Sequence, residues 1–195
     1  MTKHIVPKED EKYFGYYPNV VVVVGVIHDE KSNFMPVAWN TALSYNPFMY
    51  GVSIDNTRYT YNLIRDSKAF SVNFLSFENC HTVRSLGRST GDEIDKAEEF
   101  DIEYTVGKET GAPLMDNSYC AFECQKRENH LFGDHTLFVG KVVLIKVARN
   151  SINKDNLLDT KVVSPLLYLG MDNYITTDPK SLLSLKDLPF HYKNK

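Results

Sequence analysis

The chain is poor in the features that would place it quickly. It has 195 residues but a single tryptophan and only three cysteines, Cys80, Cys120 and Cys124. An odd, small cysteine count offers no disulfide framework. Cys120 and Cys124 lie in "SYCAFECQKRE", which alternates like a strand. Four strand residues separate them by about 13 Å, too far for both to hold one metal ion. They read as ordinary buried thiols. Positive charge is not in surplus either: 22 Lys and Arg against 25 Asp and Glu give a net charge of −3. A nucleic-acid partner would ask for a basic face. There is no G-x-G-x-x-G or Walker-type loop. The longest aliphatic run, "VVVVVGVI" at 20–27, falls well short of the roughly 20 apolar residues a membrane helix needs. The opening stretch "MTKHIVPKEDEKYFGYYP" lacks a signal peptide's apolar segment. Repeats and low-complexity segments are also missing. These absences lead us to expect a soluble, cytoplasmic protein without nucleic-acid or membrane partners. We expect one domain over 1–195, with its core at about 13–176 and a tail at 177–195.

What is present points to β structure. Hydrophobic residues make up 43% of the chain, enough for a real core, and 12 Tyr and 11 Phe favour strands. Residues 19–28 are β-branched and read as a strand covered on both faces. "DEKSN" reads as a turn, "FMPVAWNTALSY" as one strand broken by Asn46-Pro47, and "FMYGVSI" as the next. A short amphipathic helix is expected over 59–66, a strand over 69–76 and a helix over 78–86. Long strands are expected at 118–128 and 135–148. Regular βα alternation is missing, which argues against a doubly wound sheet. The fold class expected is a mainly antiparallel β-barrel with a few peripheral helices.

Four polar clusters interrupt this pattern. "AWNTALS" (38–44) sets Asn40, Thr41 and Ser44 beside Trp39, as a solvated edge strand or as a ligand wall. "SIDNTRYTYNLIRDS" (53–67) places Arg58, Tyr59 and Thr60 where a strand gives way to a helix. Thr60 then heads the helix as an ordinary cap with Arg58 in solvent. Alternatively, the helix N-terminus and these side chains cradle an anion. "RSTGDEIDK" (88–96) is either a cap with surface ion pairs or an anion nest bordered by Arg88 and Lys96. In "FGDHTLFVG" (132–140) a hairpin turn accounts for Gly133 and Asp134, and His135 follows it either at the surface or in a site.

Taken in order, the stretches "YYPNVVVVVGV", "MPVAWNTALSYNPFMYGVSI", "TRYTYNLIRDSKAFSVNF", "STGDEIDK" and "GDHTLFVGKV" resemble the flavin reductase-like family. Its members bind FMN on a split β-barrel. The likeness runs from residue 16 to 142, and "SPLLYLG" resembles the family's P-L-x-Y element. The resemblance implies that Ala38, Trp39, Asn40, Thr41 and Ser44 line the isoalloxazine ring. It implies that Ser53, Ile54, Arg58, Tyr59 and Thr60 grip the phosphate end. Ser89 or Thr90, with Gly91 and Lys96, closes over it, and His135 lies near the ring where nicotinamide would stack. NADH or NADPH is then the co-substrate and the assembly a homodimer. A small-molecule acceptor or a redox partner protein takes the electrons. The other implied role is a non-catalytic, flavoredoxin-like electron carrier reduced by a partner. A split barrel holding haem or a pyridoxine phosphate fits "AWNTALS" and "GDHTLFVG" less well.

Overall fold

The computed structural model describes Val6 and residues 12–186. The expectations placed on the first residues and on the end of the tail lie outside the described residues. In chain order the strands are β1 (Asn19–Val20), β2 (Val22–His28), β3 (Lys31–Val37), β4 (Asn40–Tyr45) and β5 (Phe48–Asp55). Helix α1 (Tyr59–Asp66) leads to β6 (Ala69–Phe74), α2 (Cys80–Arg88) and α3 (Lys96–Glu99). Then follow β7 (Tyr104–Val106), β8 (Pro113–Met115), β9 (Cys120–Phe132), β10 (His135–Val147), β11 (Leu167–Gly170) and β12 (Asn173–Ile175).

Seven strands form one antiparallel sheet in the order β3-β2-β6-β9-β10-β5-β4. Laid flat, its edge strands β3 and β4 would stand about 29 Å apart, six spacings of about 4.8 Å. Yet only Ala38 and Trp39 join them, a link that reaches about 10 Å at most. The sheet must therefore curl until its edges meet. They meet without pairing to each other among the described residues, so the barrel is split along that seam.

Strand β2 shows why the valine run is needed. Val22, Val24 and Val26 enter the barrel interior with Val52, Ile54, Phe70, Phe138 and, from α1, Leu63 and Ile64. Val21 and Val23 face the other way, under α2, with Phe34, Leu75, Leu86 and Met115. Both faces are covered, so the run is apolar throughout rather than alternating. Helix α1 buries Thr60, Leu63 and Ile64, the i, i+3, i+4 stripe that seats it on the barrel.

Two sequence expectations are corrected. "DEKSN" is not all turn: Asp29 and Glu30, both at positive φ, make a two-residue hairpin turn, and strand resumes at Lys31. "FMPVAWNTALSY" is two strands, because the chain must turn at Ala38–Trp39 to cross the seam.

Candidate functional site

The open seam and the start of α1 organise the polar residues. Asp55 ends β5 and takes Thr57's backbone N–H and hydroxyl on one carboxylate oxygen, both at 2.8 Å. The Thr57 N–H, then its hydroxyl and the charges of His135 and Arg58, hold the Asp55 carboxyl below the usual carboxylate range. This turn sets Arg58 at the helix N-cap with extended φ and ψ of −76° and 139°, and no side chain caps the helix. Thr60 is therefore not the cap. It is the second residue of the helix, 2% exposed, and its hydroxyl oxygen accepts from the Asn33 amide at 2.7 Å. A helix start left bare beside a buried hydroxyl is a ready anion site.

Two further elements close on it. Lys96, the first residue of α3, is 3% exposed and donates to the carbonyls of Phe34 (3.2 Å) and Leu86 (2.8 Å). Two of its three donors are thus engaged. Burial, and then the nearby Arg58 charge, push its ammonium down to about 8, with Asp92 opposing. Gly91 packs flat against this group. A Cβ there would collide with Asn33 Oδ1 and stand 3.2 Å from the Tyr59 ring. Asn33 Oδ1 is itself buried with no hydrogen-bond partner among the described residues. The structure therefore brings together Arg58, Tyr59, Thr60, Gly91 and Lys96, and adds Asn33.

Ser89 and Thr90 have local partners: Ser89 donates to the Ser85 carbonyl at 3.0 Å, and Thr90 donates to Asp92. Asp172 holds Arg88 at 2.7 Å.

The second half of the site lies where β5 meets β10. His135 pairs with Asp55 in register, and Leu137 with Ser53. The Ser53 N–H donates to the Trp39 carbonyl at 2.8 Å, so Trp39 lies against this strand end. The Trp39 and His135 rings stand 4.5 Å apart at 38°. Trp39's indole N–H points to the hydroxyls of Tyr17 (2.9 Å) and Tyr16 (3.2 Å), and burial pushes Tyr17 up to about 12. His135 Nδ1 is 2.6 Å from Asp134. With that nitrogen engaged, Nε2 is the ring nitrogen left to exchange a proton.

Asn40 has a different use from the one expected of its side chain. Its amide N–H groups go to the Val20 and Val37 carbonyls, both at 2.9 Å, and its oxygen accepts from Tyr50 at 2.6 Å. Both amide N–H groups and the oxygen are engaged inside the protein, so Asn40 pins the seam and offers a ligand no free side-chain donor. Ile54 is 1% exposed and belongs to the core. Thr41 is exposed on the edge strand β4, and Ser44 is half-buried near its end. Neither is drawn into the Arg58 group.

No cluster of three or more His, Cys, Asp and Glu suited to a metal occurs among the described residues. Burial pushes Cys120 up to about 11 and Cys124 higher still, so neither is a ready nucleophile. No helix among the described residues is long and apolar enough to cross a membrane.

Comparison with known proteins adds to this geometry. The model of the flavin reductase like domain matches residues 14–174. An FMN-binding protein from Thermus thermophilus, solved with bound 1-cyclohex-2-enone, superposes with a TM-score of 0.85 at 33% identity, covering 94% of this chain and 100% of that one. Flavoredoxin from Methanosarcina acetivorans gives a TM-score of 0.82 at 25% identity, covering 95% and 97%. A ferric-chelate reductase (NAD(P)H) from Archaeoglobus fulgidus is 31% identical over 56% of this chain and 64% of its own length.

Proposed function

The chain belongs to the flavin reductase-like family, and from that premise we propose that it is an FMN-binding oxidoreductase that takes hydride from NADH or NADPH. The observation that carries the FMN reading is the bare start of α1, flanked by Arg58 and by buried Lys96. A phosphate monoester brings close to two negative charges at neutral pH. Two cations, a helix N-terminus and the Thr60 hydroxyl are a proportionate set of partners. The donor chemistry fits the group: Thr60's oxygen accepts from Asn33, which leaves its hydroxyl hydrogen to donate, and Gly91 puts no Cβ against this cradle.

Bound flavin would supply the two-electron chemistry, and the protein's part is to bind and orient it. Arg58, Thr60 and Lys96 anchor one end. Trp39, tilted against the His135 ring and clamped by Tyr16 and Tyr17, provides an aromatic wall at the β5–β10 end. His135, steadied by Asp134, holds a proton site at Nε2.

The assembly is a homodimer in this reading. Val143, Ile145 and Val147 are 37%, 48% and 43% exposed along one face of β10. Alternate apolar residues on an open strand face suit a second copy of the chain. Conjugated cyclic carbonyl compounds are the acceptor class to test first, given what the Thermus relative binds.

Anaerobic mixing of FMN-loaded protein with NADH or NADPH tests the reading. Rapid loss of the oxidised-flavin absorbance supports it. The likeness to flavoredoxin favours a second reading, an electron carrier. In that case neither nicotinamide bleaches the flavin, and a reduced protein donor does.

A further inference from the structure

Asn33 stands outside every motif that marks this site, and we propose that it is a positioning residue that turns the Thr60 hydroxyl outward as a phosphate donor. The inference rests on the FMN reading above. Asn33 lies on β3, opposite Val26 in the β2–β3 ladder, and is 2% exposed. Its Nδ2 donates to Thr60 Oγ1 at 2.7 Å, and its Oδ1 lies buried against Gly91 without a partner.

A hydroxyl has one hydrogen and accepts with its lone pairs. Once Asn33 donates to Thr60, the threonine's hydrogen must go elsewhere. Among the described residues it has no acceptor in the protein. Turning the amide over would not satisfy the group. Oδ1 would then take the Thr60 hydrogen, and Nδ2 would be left bare against Gly91. Either orientation therefore leaves one end of a buried amide unpaired, an arrangement that native interiors avoid. An anion at the start of α1 decides between the two. It takes the Thr60 hydrogen, which fixes Thr60 as the acceptor and Asn33 as the donor. The next residue on β3 works in parallel. The Phe34 carbonyl accepts from Lys96 at 3.2 Å and so fixes the direction of that ammonium. One short piece of strand thus bonds to two of the donors grouped at this site.

The test is a double-mutant cycle read by flavin-fluorescence titration, with FMN and riboflavin as probes. Asn33→Leu removes the amide and keeps its branching, and should weaken FMN binding roughly tenfold, with riboflavin unchanged within twofold. Thr60→Ala should give a similar loss, and the double variant should be no weaker than Thr60→Ala alone, because Asn33 acts only through Thr60. Additive losses, or full FMN affinity in Asn33→Leu, would overturn the proposal. If Asn33→Leu does not fold, Asn33→Ala carries the same comparison. The parent protein keeps the two readings apart. If it binds FMN and riboflavin equally, the phosphate reading fails. If it prefers FMN and Asn33→Leu keeps that preference, only the role of Asn33 fails.

Discussion

Raising the pH from 7 to 9 should weaken FMN binding about tenfold and leave riboflavin binding unchanged. The lever is Lys96. Burial and the Arg58 charge bring its ammonium down to about 8 from an ordinary 10.5, with Asp92 opposing. A dianionic phosphate beside it would favour the charged form and restore an ordinary value. At pH 7 Lys96 is already protonated, and binding takes up no proton there. At pH 9 about nine molecules in ten of the empty protein hold neutral Lys96, so binding must recharge it, at roughly a tenfold loss in affinity. The phosphate itself changes little in this window, because its second ionisation lies near pH 6. Fluorescence titrations at half-unit intervals between pH 7 and 9 give the curve. Lys96→Arg, which cannot deprotonate, should flatten it. A flat FMN curve for the parent, or equal slopes for FMN and riboflavin, would mean that Lys96 does not hold the phosphate. Stability has its own sign. Lys96 is depressed on folding, so its penalty is fully present below pH 8. The penalty is relieved as pH rises from about 8 towards 10.5, and the flavin-free protein should gain stability over that range.

Arg58→Ala should cost roughly tenfold to a hundredfold in FMN affinity, the range of one charge-assisted hydrogen bond. Since Arg58 is exposed and caps nothing with its side chain, the melting temperature of the flavin-free protein should not move. Asn40→Ala should destabilise the fold by about 1–3 kcal/mol, because it strands two carbonyls and the Tyr50 hydroxyl. Urea denaturation measures this, and a loss below about 0.5 kcal/mol would show that the seam is held by other contacts. Ile145→Asp should turn a dimer into a monomer in light scattering. An unchanged mass would move the interface away from β10.

Much of the barrel was legible because its signals are local and redundant. The run Val20–Val24 says that both faces of a strand are buried, and Gly133–Asp134 marks the hairpin joining the two longest strands. The polar stretch 53–60 was readable as the head of α1. Its internal division of labour was not, because that depends on which N–H groups a cap satisfies. Asp55 makes the turn, which leaves Arg58 at the cap and Thr60 buried. Asn33 was hidden by the same limitation. In "DEKSN" it looks like turn material, and only the positive φ of Asp29 and Glu30 shows how short the turn is. Asn40 looked like a ligand group because the sequence does not show that the sheet's two edges meet beside it. Tyr16 and Tyr17 gave no sign either, since their contact with Trp39 bridges more than twenty residues.

If this chain holds a flavin by its phosphate, two flavins that differ only there will separate in affinity. FMN and riboflavin share every ring and ribityl contact and differ only in the phosphate. Titrated against the flavin-free parent protein at pH 7, FMN should bind at least roughly tenfold more tightly. Equal affinities would contradict the account, because Arg58, Thr60 and Lys96 would then have no phosphate to hold.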